Sequence, residues 1–99
     1  MIRHVVAWKT AATEPAERDA ATAEITRLLS SLPPLIPSIS ALTVGPNMAY
    51  FDTNWDVVLV ADFETLADLD AYQVHPEHQA VVPRIKALVA QRAAVDIEL

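Results

Sequence analysis

The run Trp55 to Phe63 reads as a strand that is apolar on both sides, and no other feature narrows the available folds so far. Trp55, Val57, Leu59, Ala61 and Phe63 alternate onto one face, Val58 and Val60 onto the other. The run Ile2 to Lys9 is nearly as apolar, with Ile2, His4, Val6 and Trp8 on one side and Arg3, Val5, Ala7 and Lys9 on the other. A sheet built from such strands has two faces to hide from water.

The rest of the chain supplies cover for one of them. Pro15 opens a helix running to about Leu32, with Ala21, Ile25, Leu28, Leu29 and Leu32 on one stripe, and Pro33-Pro34 stops it. Ser38 to Val44 is a strand, and Met48 to Asn54 is a loop carrying Tyr50 and Phe51. Thr65 is placed to cap a short helix through Leu69 and Tyr72. Pro76 starts another helix, reaching about Gln91, which Pro83 should kink or divide in two. Ala93 to Leu99 is a closing strand with Val95, Ile97 and Leu99 on one face. The order β-α-β-β-α-α-β predicts a ferredoxin-like α+β domain, one sheet with its helices on one side. The uncovered side would expose a large apolar patch, which single soluble chains rarely carry. Twofold pairing, sheet against sheet, covers it, so the pattern predicts a homodimer.

At 99 residues the chain is one domain, 1–99. It has no cysteine, which excludes disulfides, thiolate metal sites and cysteine nucleophiles. A net charge of −6 with scattered Lys and Arg argues against nucleic acid as a partner. No apolar run nears the roughly 20 residues that span a bilayer, so no membrane partner is expected and the cytoplasm is the expected location. The single glycine, Gly45, leaves no phosphate-cradling loop, and no cofactor is expected.

Chemistry concentrates in Ala71-Tyr72-Gln73-Val74-His75-Pro76-Glu77-His78, at a helix-to-helix boundary. His78 shares a helical stripe with Val81, Val82, Ile85 and Val89, which turns it inward. Desolvation and the helix N-terminus should then favour its neutral, proton-accepting form. Tyr72 shares a face with Leu66 and Leu69 and could hold an enolate or carbonyl oxygen. His4, on the first strand, could orient a polar group. His78, Tyr72 and His4 are therefore the candidate catalytic residues, and a carbon beside a carbonyl is their natural target. Each also has a structural reading: a buried histidine bonded to backbone, a packing tyrosine, a strand-edge histidine. His75, just before Pro76, is expected to cap the helix or face solvent. It should point away from His78, so no metal site is expected. The acidic pairs Asp68/Asp70 and Asp62/Glu64 read as solvated faces. Trp8 and Trp55 read as core or dimer contacts, with a ligand-facing role open for Trp8.

Five segments in this order resemble the stress-responsive A/B barrel family, the dimeric α+β barrel domain called Dabb. They are Met1-Ile2-Arg3-His4-Val5-Val6, Ile36-Pro37-Ser38-Ile39, Asp56-Val57-Val58-Leu59-Val60 with Phe63-Glu64, Tyr72 with His75-Pro76-Glu77-His78, and Arg92-Ala93-Ala94-Val95-Asp96. The resemblance spans nearly the whole chain. It implies paired ferredoxin-like protomers and a small-ligand pocket, suited to an apolar or aromatic molecule, between sheet and helices. One branch of the family, plant polyketide cyclases, resembles this chain at the pocket. That branch performs cofactor-free aldol cyclisation, and its catalytic tyrosine and histidine fall on Tyr72 and His78, with a further pocket histidine on His4. Its pocket tyrosine on the first helix falls on Leu29, and the aromatic neighbours fall on Ile25 and Thr26, so that part of the pocket differs. Two functions are thus implied: a dimeric ligand-binding or stress protein, or a cofactor-independent enzyme with His78 as base and Tyr72 as oxyanion partner. Cofactorless monooxygenation, known in sister barrel families, is a third.

Overall fold

The computed structural model describes residues 1–99. Its elements are β1 (Ile2–Thr10), α1 (Pro15–Ser30), β2 (Ala41–Pro46), β3 (Val57–Phe63), α2 (Leu66–Val74), α3 (Pro76–Leu88) and β4 (Val89–Glu98). The strands form one antiparallel sheet in the order β2-β3-β1-β4. This is the expected ferredoxin-like α+β fold.

Several boundaries differ from expectation, two of them for a clear tertiary reason, and an expected break in α3 is absent. β2 begins at Ala41 rather than Ser38, because Ile36 is fully buried and the Ile39 N–H donates to its carbonyl, closing a turn first. α3 ends at Leu88 rather than Gln91. The Leu88 carbonyl accepts from the Ala11 N–H, and Val89 pairs with Thr10, so β1 recruits the chain before the helical pattern runs out. Pro83 does not divide α3. Gln79, whose carbonyl loses its donor to the proline, is exposed, so water can take the missing N–H's place.

α2 starts as expected. The Thr65 hydroxyl accepts from the Asp68 N–H at 3.2 Å and donates to the Asp68 carboxylate at 3.0 Å. Thr65→Ala should cost about 1 kcal/mol, read as a lower thermal midpoint.

The helices cover one face of the sheet. Val6 and Trp8 of β1 and Val57, Leu59, Ala61 and Phe63 of β3 pack against Ile25, Leu29, Leu32, Leu69, Tyr72 and Ile85. The other face has no helix on it. There Val5 lies between Val60 and Val95 in cross-strand register, with Ala7 between Val58 and Ala93 beside them. Val58, Val95 and Ile97 are 41, 62 and 46 % exposed. β4 turns its apolar residues to this open face and Arg92, Asp96 and Glu98 to the helix side, the reverse of what a single chain would favour.

Asp62 is not a free solvated charge. It lies at one end of the open face and accepts both Arg3 Nε, at 2.8 Å, and Arg3 Nη2, at 2.9 Å. The paired guanidinium holds the Asp62 carboxyl below its usual range.

Candidate functional site

α2 packs on β1 and β3, α3 packs on α1 and α2, and the helical layer steps away from β4, whose residues from Ala90 onward are all exposed. The step leaves a cleft of about 490 Å³ between α3 and β4. Val6, Trp8 and Leu59 line it from the sheet, and Tyr72, His78, Val82 and Ile85 from the helices. This volume lies in the range of small-molecule sites. Trp8 faces the cleft, whereas Trp55 is half-buried outside the strand.

All three candidate residues meet here. Tyr72 and His78 have ring centroids 4.4 Å apart, and His4 lies 6.3 Å from Tyr72 in an edge-on arrangement. Helical geometry explains the meeting. Leu69 and Tyr72, three apart, face the sheet from α2, and α3 begins one turn later with His78 in its first turn. Leu66, expected on the same face, is 59 % exposed at the helix start. Phe63 backs the tyrosine ring at 5.2 Å between centroids.

Each side chain has a defined chemical state. His78 Nδ1 lies 3.1 Å from the Gln73 carbonyl oxygen. A carbonyl only accepts, so Nδ1 carries a proton and Nε2 is the atom left to take one. Burial lowers the pKa of His78; the bond to Gln73 opposes this, and the nearness of His4 and Arg92 adds to it. The Tyr72 hydroxyl is pushed up to about 12, chiefly by burial, so at neutral pH it is a protonated donor. His4 is buried, with Nδ1 2.5 Å from the Asp96 carboxylate opposite it on β4. The Asp96 bond fixes the imidazole against the sheet and leaves Nε2 toward the cleft.

The lowered pKa of His78 sets a pH dependence. The unfolded chain binds this proton more readily than the folded one below the ordinary histidine value of about 6.5. The contribution to stability is therefore complete above that pH and is lost as pH falls toward the depressed folded value. Urea midpoints should drop between neutral and mildly acidic pH, and His78→Gln should lessen the drop.

His75 takes no part in the cleft. It caps α3, its Nδ1 accepting from the Glu77 N–H at 3.1 Å. Leu29, in place of the cyclases' tyrosine, reaches the cleft; Ile25 is sealed in the core, and Thr26 lies toward the loop after β2. Arg92 and Lys86 also line the cleft and Asp96 is bonded to His4; the sequence marked Arg92 and Asp96 only within a family segment and Lys86 not at all. Only the register, with His4 opposite Asp96 and Trp8 opposite Arg92, brings the β4 pair to the site.

The sequence profile of the stress responsive A/B barrel domain matches residues 2–99. The chain belongs to this family. The Dabb fold recurs in a dimeric ferredoxin-like protein of unknown function from Bacteroides fragilis, 29% identical, with a TM-score of 0.88, covering 99% of this chain and 95% of that one. A dimeric ferredoxin-like protein of unknown function from Thermobifida fusca is 30% identical, with a TM-score of 0.80 over 99% of this chain and 90% of that one. A hydroxynitrile lyase from Passiflora edulis shares the Dabb chain's fold at 12% identity, with a TM-score of 0.74 over 97% and 90% of the two chains. No curated protein matches the Dabb chain in sequence. No helix is long and apolar enough to cross a membrane.

Proposed function

We propose that this Dabb protein works as a homodimer and binds a small aromatic or polyketide-like carbonyl compound in the α3–β4 cleft. There it performs cofactor-independent acid–base chemistry. The observation that carries the reading is that His78 and Tyr72, with ring centroids 4.4 Å apart, line one mainly apolar cleft of about 490 Å³. His78 Nε2 takes a proton from the carbon beside a carbonyl. The C–H electron pair moves into the enolate, whose oxygen receives a hydrogen bond from Tyr72. In an aldol step the enolate carbon bonds to a second carbonyl carbon, and the resulting alkoxide takes the proton back from His78. His4, held by Asp96, orients the substrate.

Leu29 makes the wall of the cleft more aliphatic than in the plant cyclases, which favours a different substrate from theirs. The apolar open face and the dimeric relatives support the twofold assembly. Incubation with aryl alkyl ketones in deuterium oxide, followed by proton NMR, tests the chemistry. Protein-dependent loss of the signal beside the carbonyl is the expected result. Binding to the cleft without any such loss would reduce it to a carrier site.

A further inference from the structure

The charge of the cleft is opposite to that of the chain. The sequence holds 13 acidic and 7 basic residues, yet no Asp or Glu lines the cleft, whereas Lys86 and Arg92 both do. Arg3, Arg18 and Arg84 are each paired with a carboxylate, at Asp62, Asp19 and Glu24. Lys86 and Arg92 have no such partner. Asp96, beside the cleft through its bond to His4, is already engaged by that bond.

The two cations also lie close to one turn of the chain. Lys86 follows His78 by two helical turns on the same side of α3, about 12 Å along the axis. Arg92 precedes Asp96 by four residues on the same side of β4, about 13 Å along the strand. The chain turns from α3 into β4 at Val89, three residues after Lys86 and three before Arg92, and both line the cleft. Burial aside, Arg92 is near enough to His78 and Tyr72 to lower the pKa of both. Val6, Trp8, Val82 and Ile85 supply the apolar lining beside them.

We propose that Lys86 and Arg92 form a carboxylate clamp, so that the ligand is an amphipathic keto acid. Its carboxylate sits at the clamp, its carbonyl a few bonds away lies beside Tyr72 and His78, and its apolar or aromatic body rests on the apolar lining of the cleft. The inference rests on the carbonyl-directed reading above and assigns its substrate class. A monoanion fits better than a phosphate. No glycine turn serves this clamp, and it lies at the C-terminus of α3, whose dipole disfavours a dianion. A carboxylate can take the planar guanidinium of Arg92 in two parallel bonds.

The probes are 4-oxo-4-phenylbutanoate and its primary amide, equal in size and differing in charge. Titration by calorimetry and amide NMR should give the acid about a fivefold or greater advantage. Raising salt to about 0.5 M should shrink it. Arg92→Gln and Lys86→Gln should weaken the acid and leave the amide unchanged, and Arg92→Lys should restore part of the loss. Both positions are exposed, so the fold should tolerate the changes. If the amide binds as tightly as the acid, or Arg92→Gln leaves the acid's affinity unchanged, the clamp is overturned while the carbonyl cleft stands. If neither probe shifts resonances of Trp8 and His78, both readings fall.

Discussion

Replacing Val5 by Asp should convert the proposed dimer into poorly folded single chains. Val5 sits at the centre of the open sheet face, flanked by Val60 and Val95. In a sheet-to-sheet pair its side chain meets the partner's apolar face, and a carboxylate there has neither water nor a cation. Burying an unpaired charge costs several kcal/mol, comparable with the whole stability of a small domain. The expected readings are dissociation in sedimentation at micromolar concentration and a large fall in thermal midpoint. A β1 variant could fail for local reasons, so Val95→Lys provides an independent check. Val95 lies on the edge strand and is 62 % exposed in the single chain, which would tolerate a lysine there. A pair closed over Val95 would not. Val95→Lys remaining dimeric with an unchanged midpoint, or unaltered protein sedimenting as a stable single copy, would rule out this interface.

The second large effect is chemical. His78→Ala should reduce deuterium exchange beside a bound carbonyl by about 10²–10⁴-fold, the usual contribution of a positioned base. Tyr72→Phe should reduce it by about 10²–10³-fold, the scale of losing one oxyanion donor. The tyrosine ring packs on Phe63 and His78, and that packing survives loss of the hydroxyl. Tyr72→Phe should therefore leave the thermal midpoint nearly unchanged, which separates a catalytic hydroxyl from a structural one. Equal exchange rates in Tyr72→Phe and the parent would leave His78 without its partner and refute the pair.

The sequence made the architecture legible because strand alternation and helical stripes are local patterns. Val57 to Phe63 and Ile2 to Trp8 declared both of their faces, and Val95, Ile97 and Leu99 declared theirs. Thr65, His75 and Pro76 announced the helix starts through the hydrogen bonds their groups can or cannot make. The boundaries that differ depend on partners distant in the chain. Val89 leaves the helical pattern because Thr10 is there to pair with it, and Ile36 draws the chain into a turn by being buried. The site divides along the same line. Tyr72 and His78 are near neighbours in sequence and could be read together. Asp96 and Arg92 become part of the site only through their register against His4 and Trp8, and Lys86 matters only once the cleft is open beside it.

β1 carries two tasks on alternate residues: His4, Val6 and Trp8 line the cleft, while Val5 and Ala7 lie on the bare face. The strand thus has a parity. Inserting or deleting one residue between Ile2 and Lys9 would exchange the two sets, turning the imidazole outward and an aliphatic side chain into the site. Point substitutions can adjust either task separately, but length changes of one cannot. Descendants of this chain should therefore vary in the composition of the strand well before they vary in its count of residues.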